Sequence, residues 1–454
     1  MCSAKNESNV AASHWSARSI PGLGQLGDVI RIGRVVMMRG LGVVLSFLLT
    51  IVLSRTLGAT GVGLFFFFNS ALRLLAALVA FGLPQYNLRT VAALDAHGDH
   101  HQADIIAARS LWFVFFGGGL VMALTWMAAG PIAAIVLGDA TLVPQLRAAC
   151  LCAVAFAMLR VRCEALKSRG LPQTALLLEF ALSPAALIVI CVATWFVKLD
   201  LSLSAVLNCF IGATVVAVGL ASLTWRQRSQ ELRLPLGHPE AHQPLERIPV
   251  RTLAVFLVWN LLNALAWAGP YMVLPRFASS GEIGLFGTAH RLIALPSIIL
   301  VALGSYFAPR FSRCHAQGDI RTNRLQLRRS QLYAALAFLP LFAMFLFAPA
   351  ELLSVFGPEF REAAPILRVL TIGATINALT GLAADFLNMT HHENYEATIT
   401  GVSAVSLVVL TVVLGIPYGL MGAAIATTVA MAGRNVASFL LCQLVIRQEM
   451  RRAV

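Results

Sequence analysis

Charge is what this chain has least of: Asp, Glu, Lys and Arg make up 12% of its 454 residues, about half the share usual in a soluble domain. So little polar surface cannot cover a particle of this size in water. With 58% hydrophobic residues and a mean hydropathy of +0.78, the solvent of most of the chain must be lipid. The eight cysteines show no CxxC spacing, so no zinc or dithiol frame is written here. Cys150, Cys152, Cys191, Cys209 and Cys442 fall inside apolar runs, where a thiol behaves as a small apolar group, and are assigned to packing. The first thirty residues lack the apolar core of about 7–15 residues that a signal peptide requires, and Cys2 has none before it to make a lipoprotein site. The first membrane helix is expected to serve as its own insertion signal. The apolar runs are continuous, without the alternation of a membrane barrel, so the spans are helices.

What is present is a succession of apolar spans of about 20 residues. Twelve are expected, at 33–55, 61–83, 110–130, 144–167, 172–196, 203–224, 252–275, 283–309, 331–349, 365–388, 395–416 and 420–446. Basic residues orient them. The N-terminal tail, alternate connections and the C-terminus hold 24 Lys and Arg; the opposite side holds six, Arg55, Arg147, Lys198, Arg276, Arg361 and Arg368. Both termini are therefore expected in the cytoplasm. The net charge of +13 is accounted for by cytoplasmic loops facing anionic headgroups, without nucleic acid as a partner.

The stretch "LSRTLGATGVGLF" at 53–65 returns at 274–286 as "LPRFASSGEIGLF". At the same offset of 221 residues, "PQLR" at 144–147 meets "PILR" at 365–368, and Glu164 meets Asp385. "AHGD" at 96–99 meets "AQGD" at 316–319, one residue out of step, and Arg39 falls opposite Asn260. Each pair holds the same place in its half. The fold expected is all-α, two six-helix lobes related by a pseudo-two-fold axis along the membrane normal, because an offset of six helices is even. The organisation expected is a cytoplasmic tail at 1–32, lobes at 33–224 and 252–446, a basic cytoplasmic linker at 225–251, and a tail at 447–454.

The segments "LSRTLGATGVGLF", "FGLPQYNLR", "FAPRFSR", "VFGPEFREAAPILRVLTIG", "LNMT" and "GLMGAAIATTVA" resemble the polysaccharide-export branch of the multidrug/oligosaccharidyl-lipid/polysaccharide (MOP) superfamily, which contains the Wzx-type O-antigen flippases. The resemblance covers residues 33–446. It implies two lobes in a V and alternating access, carrying polyprenyl-pyrophosphate-linked O-antigen, capsule or exopolysaccharide units across a bacterial inner membrane. The partners implied are lipid-linked oligosaccharide, membrane lipids, and glycan polymerase and chain-length machinery. His391 stands where that branch often carries Gly after "LNMT". Twelve spans, not fourteen, set the chain apart from the lipid II flippase branch.

Four arginines, Arg39, Arg73, Arg291 and Arg434, lie within spans. A charge there is costly, about 2.5–3.5 kcal/mol on insertion scales, so it faces a cavity or a partner. Either these arginines line a path for pyrophosphate, whose oxygens suit the planar guanidinium fork, or each pairs with a carboxylate or caps helix carbonyls. Asn260 and Asn263 share a helix face, as do Asn69 and Arg73. Interhelical hydrogen bonding is the plainer role for the asparagines, and sugar contact the second. Glu179 neutralises an Arg or binds a coupling cation. Glu164 and Asp385 are solvated carboxylates, a cytoplasmic gate, or a coupling-cation site. No cofactor is expected beyond coupling to a proton, sodium or the membrane potential.

Three motifs are weighed against this reading. "GLGQLG" at 22–27 matches GxGxxG, but no strand precedes it and no βαβ unit follows. "HGDHH" at 97–101 and "THHE" at 390–393 lack a second ligand group at zinc spacing. The alternative functions are a small-molecule or drug exporter of the same superfamily and an enzyme of polyprenyl-linked glycan assembly. An exporter of cations suits an acidic interior, whereas arginine outnumbers acid in these spans. An enzyme needs a large outer loop; the outer connections here are about 5–16 residues, too short to build a site.

The charge bias predicts topology. Single cysteines at Ser280 or Glu359 should react with a membrane-impermeant thiol reagent in sealed cells, and those at Gln230 or Asn323 should not. Reactivity of position 323 would overturn the orientation.

Overall fold

The computed structural model describes residues 23–197, 201–233 and 250–452, and every regular element among them is helical. Ten segments are long and apolar enough to cross a membrane. Two of these, Met37–Ala80 and Glu393–Arg451, are interrupted by Gly58 at φ +66° and Gly419 at φ +56°. Arg291 bonds Ser46 on one side of Gly58 and acts on the charge of Arg73 on the other, so the chain reverses there. Ser403 bonding Ala430 shows the same reversal about Gly419. The twelve expected spans are thereby accounted for. We label them α1 (23–57), α2 (59–80, continued by Leu83–Ala96), α3 (His100–Met127), α4 (Val143–Ser168), α5 (172–196), α6 (Leu203–Arg233), α7 (Val250–Val273), α8 (Ser280–Ala316), α9 (Ile320–Phe347), α10 (Ala364–Thr380, continued by Ala383–Met389), α11 (393–418) and α12 (420–452). Of the expected linker, 225–233 continues α6 and 234–249 lies outside the described residues, as do 1–22 of the N-terminal tail.

The repeated segments have physical explanations. In "AHGD" and "AQGD", Gly98 and Gly318 take left-handed φ of +82° and +66°, a conformation costly for any residue with a Cβ. The amide of Asp99 then reaches Leu94 O at 3.0 Å and that of Asp319 reaches Cys314 O at 2.9 Å, closing the preceding helix. Each Asp side chain caps the next helix, accepting from Gln102 N at 3.2 Å and Thr322 N at 3.0 Å. Asp319, fully exposed, is held below the usual carboxylate range by the hydroxyl and amide of Thr322 and by Arg321. His391 also lies in the left-handed region, at φ +61°. The glycine of the resembling branch would take that conformation freely, whereas a side chain there costs about 1–2 kcal/mol.

The longest echo is a seal between the lobes. Arg55 of α1 donates to Val355 O beyond α9 at 2.8 Å, and Arg276 beyond α7 donates to Ile135 O beyond α3 at 3.0 Å. Between them α2 crosses α8 at two glycines. A Cβ on Gly63 would sit 1.7 Å from Ser280 O, and one on Gly284 would sit 2.0 Å from Ala59 O. Ser280 is Ala59 moved by the repeat offset, so the contact is reciprocal. Glu359 adds a cap across the lobes, accepting from Ala59 N at 2.7 Å.

Behind this seal a single apolar core joins both halves, with Leu53, Phe67 and Phe68 of one and Phe286, Phe356 and Phe360 of the other fully buried. Toward the opposite end the core divides in two. One part gathers Val91, Leu159, Leu166 and Trp225; the other gathers Phe307, Phe311, Phe386 and Ile446. A shared core at one end and separate cores at the other is a V closed at the end that carries Arg55 and Arg276. The N-terminal inner core also buries Arg169, 1% exposed, which bonds Asp95 and Asp104 at 2.9 Å each and lies 3.9 Å from the Trp225 ring. The C-terminal counterpart of this residue is the neutral Thr390. Asn323 is 2% exposed, so protection of a cysteine there reflects packing and not sidedness; position 230 carries the topology test.

The crossing predicts a conformational lock. Gly63→Leu or Gly284→Leu has no room while the outer ends meet. Each should make a cysteine at Thr60 more reactive, measured by thiol labelling of the protein in nanodiscs. Unchanged labelling at normal expression would contradict the seal.

Candidate functional site

Below the seal, α2 and α8 carry two arginines to mid-depth. Arg73 lies 15 residues past Gly58 and Arg291 11 residues past Ser280, or about 22 and 17 Å at 1.5 Å per residue. Immediately after Arg291, α8 loses its regular ladder over 293–296 before resuming at Ser297. Broken helices at this depth are common where substrate sites are built, because the loosened turn exposes polar backbone groups.

Arg291 reaches across to α1, donating to Ser46 O at 3.2 Å and to the Ser46 hydroxyl. Arg73 donates to Asn69 Oδ1 at 2.8 Å and lies 5.9 Å from the Phe156 ring. Its residue is exposed while Leu72 and Ala76 beside it are buried, so it faces open space. The charges of Arg291, Arg160 and Glu179 act on it. Two cations from opposite lobes therefore come near enough for the charge of one to act on the other. Arg39 is exposed on α1, seven residues or about 10 Å from Ser46.

The acids divide between the lobes. Glu179 sits in a π-turn, Leu177–Ala181, and lies 3.9 Å from Arg160 and 3.1 Å from Lys167. Lys167 also bonds Glu164 at 2.8 Å. Two acids thus meet two bases. In the other lobe Arg434 bonds Glu396 at 3.1 Å, and Ser438 and Thr400 donate to the same carboxylate at 2.6 and 3.2 Å. Asp385 feels the charges of both Glu396 and Arg434, so there two acids share one base. Glu396, 2% exposed, and Lys167 were missed by sequence reasoning. Both stand near helix ends, where a charge passes for a solvated one; Glu396 lies four residues into its helix. Arg434 is engaged with this acid, apart from the Arg73–Arg291 pair.

Asn260, 5% exposed, exchanges two hydrogen bonds with Gln85 of the other lobe, at 2.8 and 2.7 Å. Asn263 bonds Trp259 O on its own helix at 2.8 Å. The motif histidines serve their loops: His100 bonds Asp95 at 2.8 Å, and His392 Nδ1 lies 2.6 Å from Thr390 O. Among the described residues no three His, Cys, Asp or Glu side chains gather as metal ligands. Residues 23–27 of "GLGQLG" are the start of α1, and residue 22 lies outside the described residues.

No family model matches the chain. It is 24% identical over 165 residues to a probable low-salt glycan biosynthesis flippase from Haloferax volcanii, covering 36% of this chain and 35% of that protein. It is 22% identical over 144 residues to an uncharacterized membrane protein from Methanocaldococcus jannaschii, covering 30% and 28%. The chain thus matches about a third of the length of these relatives. Among solved structures, an inward-facing multidrug resistance MATE family transporter of the MOP superfamily superposes with a TM-score of 0.72 at 15% identity, over 94% of this chain and 99% of that one. The fold is that of the MOP transporters. An outward-facing structure of a MATE family transporter gives a TM-score of 0.62 at 14% identity, over 92% of this chain and 96% of that one. The better fit to the inward-facing form agrees with a bundle sealed at one end only. A MOP superfamily transporter from Pyrococcus furiosus, described as having a binding pocket of reverse polarity, superposes at 0.61 with 14% identity over 92% and 96%.

Gln85–Asn260 ties the lobes along one seam. Removing one partner leaves a half-buried amide unpaired, costing about 1–3 kcal/mol, whereas removing both is nearer neutral. Asn260→Leu should therefore lower the thermal midpoint in detergent more than the Gln85→Leu/Asn260→Leu double variant does. Additive losses would show that the two amides do not depend on each other.

Proposed function

We propose that this chain is an alternating-access flippase. Its cargo is a polyprenyl-pyrophosphate-linked oligosaccharide, an O-antigen, capsule or exopolysaccharide unit, carried across a bacterial inner membrane with both termini cytoplasmic. The observation that carries the reading is the pair Arg73 and Arg291, on facing helices of opposite lobes at mid-depth. A cationic path suits pyrophosphate and repels the cations a drug exporter would carry. The partial match to a glycan biosynthesis flippase agrees with it. Arg39 lies toward the cytoplasmic mouth as a first contact, and Arg434 is a further anion contact held in reserve by Glu396. Of the three acids, Glu164 and Glu179 are matched by Lys167 and Arg160, whereas Asp385 shares Arg434 with Glu396. Asp385 is accordingly the stronger position for a coupling cation. Partners in glycan assembly, a polymerase and chain-length machinery, follow from the same reading.

The second reading, a small-molecule exporter, rests on the MATE-like superposition. The two separate in one experiment. Each charge-assisted bond to phosphate is worth about 1.5–3 kcal/mol, or roughly ten- to a hundredfold in affinity. Arg73→Ala and Arg291→Ala should each abolish surface glycan in a dependent strain at normal expression, and Lys should keep part of it, because charge survives without the fork. Full glycan display by the double Ala variant, together with altered drug tolerance, would decide for the exporter.

A further inference from the structure

Between its two contacts with the opposite lobe, α7 presents an aromatic surface that the arginine path does not use. Asn260, Trp267 and Tyr271 are spaced by seven and four residues and share one face of α7. The face is closed at both ends: Asn260 bonds Gln85, and the Tyr271 ring lies 5.9 Å from that of Phe66. Between these closures Trp267 is 59% exposed. A side chain exposed on the face that meets the other lobe looks into the space between the lobes and not into lipid. The repeat agrees, since the offset of 221 residues carries Ser46, the partner of Arg291, onto Trp267.

The surroundings of Trp267 are polar on one side only. Its ring is 6.0 Å from that of His290, and His290 immediately precedes Arg291. Tyr271 Oη lies 2.9 Å from His290 Nδ1; with the phenol donating, the Nε2 hydrogen of the imidazole is left for another acceptor. Asn263, one turn from Trp267, uses its amide nitrogen on Trp259 O and keeps a carbonyl oxygen as acceptor. An apolar aromatic plate beside a donor, an acceptor and a phosphate-binding arginine matches one chemical class closely. A pyranose presents a face of C–H groups that packs on a π surface and a rim of hydroxyls that seeks such polar groups.

We propose that Trp267, with His290 and Asn263, is the subsite for the saccharide joined directly to the pyrophosphate that Arg291 holds. This rests on the reading of the cargo as a pyrophosphate-linked glycan and adds which part of the path reads the sugar. The lipid-linked phosphates are held from α2 and α8, and the first sugar is stacked from α7.

The test uses the full-length protein in nanodiscs and two probes, undecaprenyl pyrophosphate and the same lipid carrying one N-acetylglucosamine. Wild type should bind the sugar-bearing lipid about tenfold more tightly, a difference of about 1.4 kcal/mol. Trp267→Ala should erase that preference, Trp267→Phe should retain part of it, and Arg291→Ala should weaken both lipids alike. Preference kept by Trp267→Ala, or equal binding of the two lipids by wild type, would overturn the saccharide subsite alone. Failure of wild type to bind either lipid would overturn the cargo reading, and the subsite with it.

Discussion

Everything in this molecule is hung from one crossing. Where α2 meets α8, two backbones approach so closely that neither Gly63 nor Gly284 has room for a methyl group. Close backbone approach is how helices associate in lipid, where burying apolar side chains brings no hydrophobic gain and dispersion contacts must supply the attraction. The flanking arginines fix the angle, each reaching carbonyls that the opposite lobe's helix end leaves unpaired. None of these contacts is an ion pair. A joint of short-range contacts and a few hydrogen bonds separates cleanly once its parts move an ångström or two. Such a joint can open and re-form without leaving a buried charge unpaired.

Charge inside the lobes follows a second logic. The N-terminal lobe settles its buried charges locally, with Arg169 between two aspartates and Glu179 between two bases. Such clusters stiffen a body that moves as a unit, since breaking one leaves an uncompensated charge at about 3–5 kcal/mol. The C-terminal lobe fills the corresponding inner core with Phe307, Phe311 and Phe386 and leaves Asp385 and Glu396 a single cation. The two halves thus differ where polarity matters and are alike where helices turn.

Much of the fold was legible in the sequence because lipid enforces continuous apolar runs and a repeat names equivalent points. The turns at Gly98 and Gly318 and the reciprocal arginines were visible as echoes before their bonds were known. The breaks in α8 and α10 were less visible: Pro296 and Gly381 sit in apolar stretches that composition alone reads as unbroken. The site was legible in part. Arg73 and Arg291 were marked by the cost of their charge, whereas Glu396 looked like an ordinary helix-start acid and Trp267 like one more lipid-facing aromatic. Partners in a site are set by which helix faces which, and no pattern within a single helix carries that.

The divided core also bears on how the chain is made. Residues of each inner core come from one half only, so the N-terminal inner cluster can form while the rest is still being synthesised. Phe47 and Phe66, by contrast, meet the rings of Phe356 and Tyr271 only once the second half has been inserted. The first half therefore waits in the membrane with small residues and aromatic rings turned toward lipid. The second half then brings the matching residues at the repeat offset, Gly284 to meet Gly63's helix and Arg276 to match Arg55. Assembly of this fold is in effect the docking of two similar helical bundles that share a single chain.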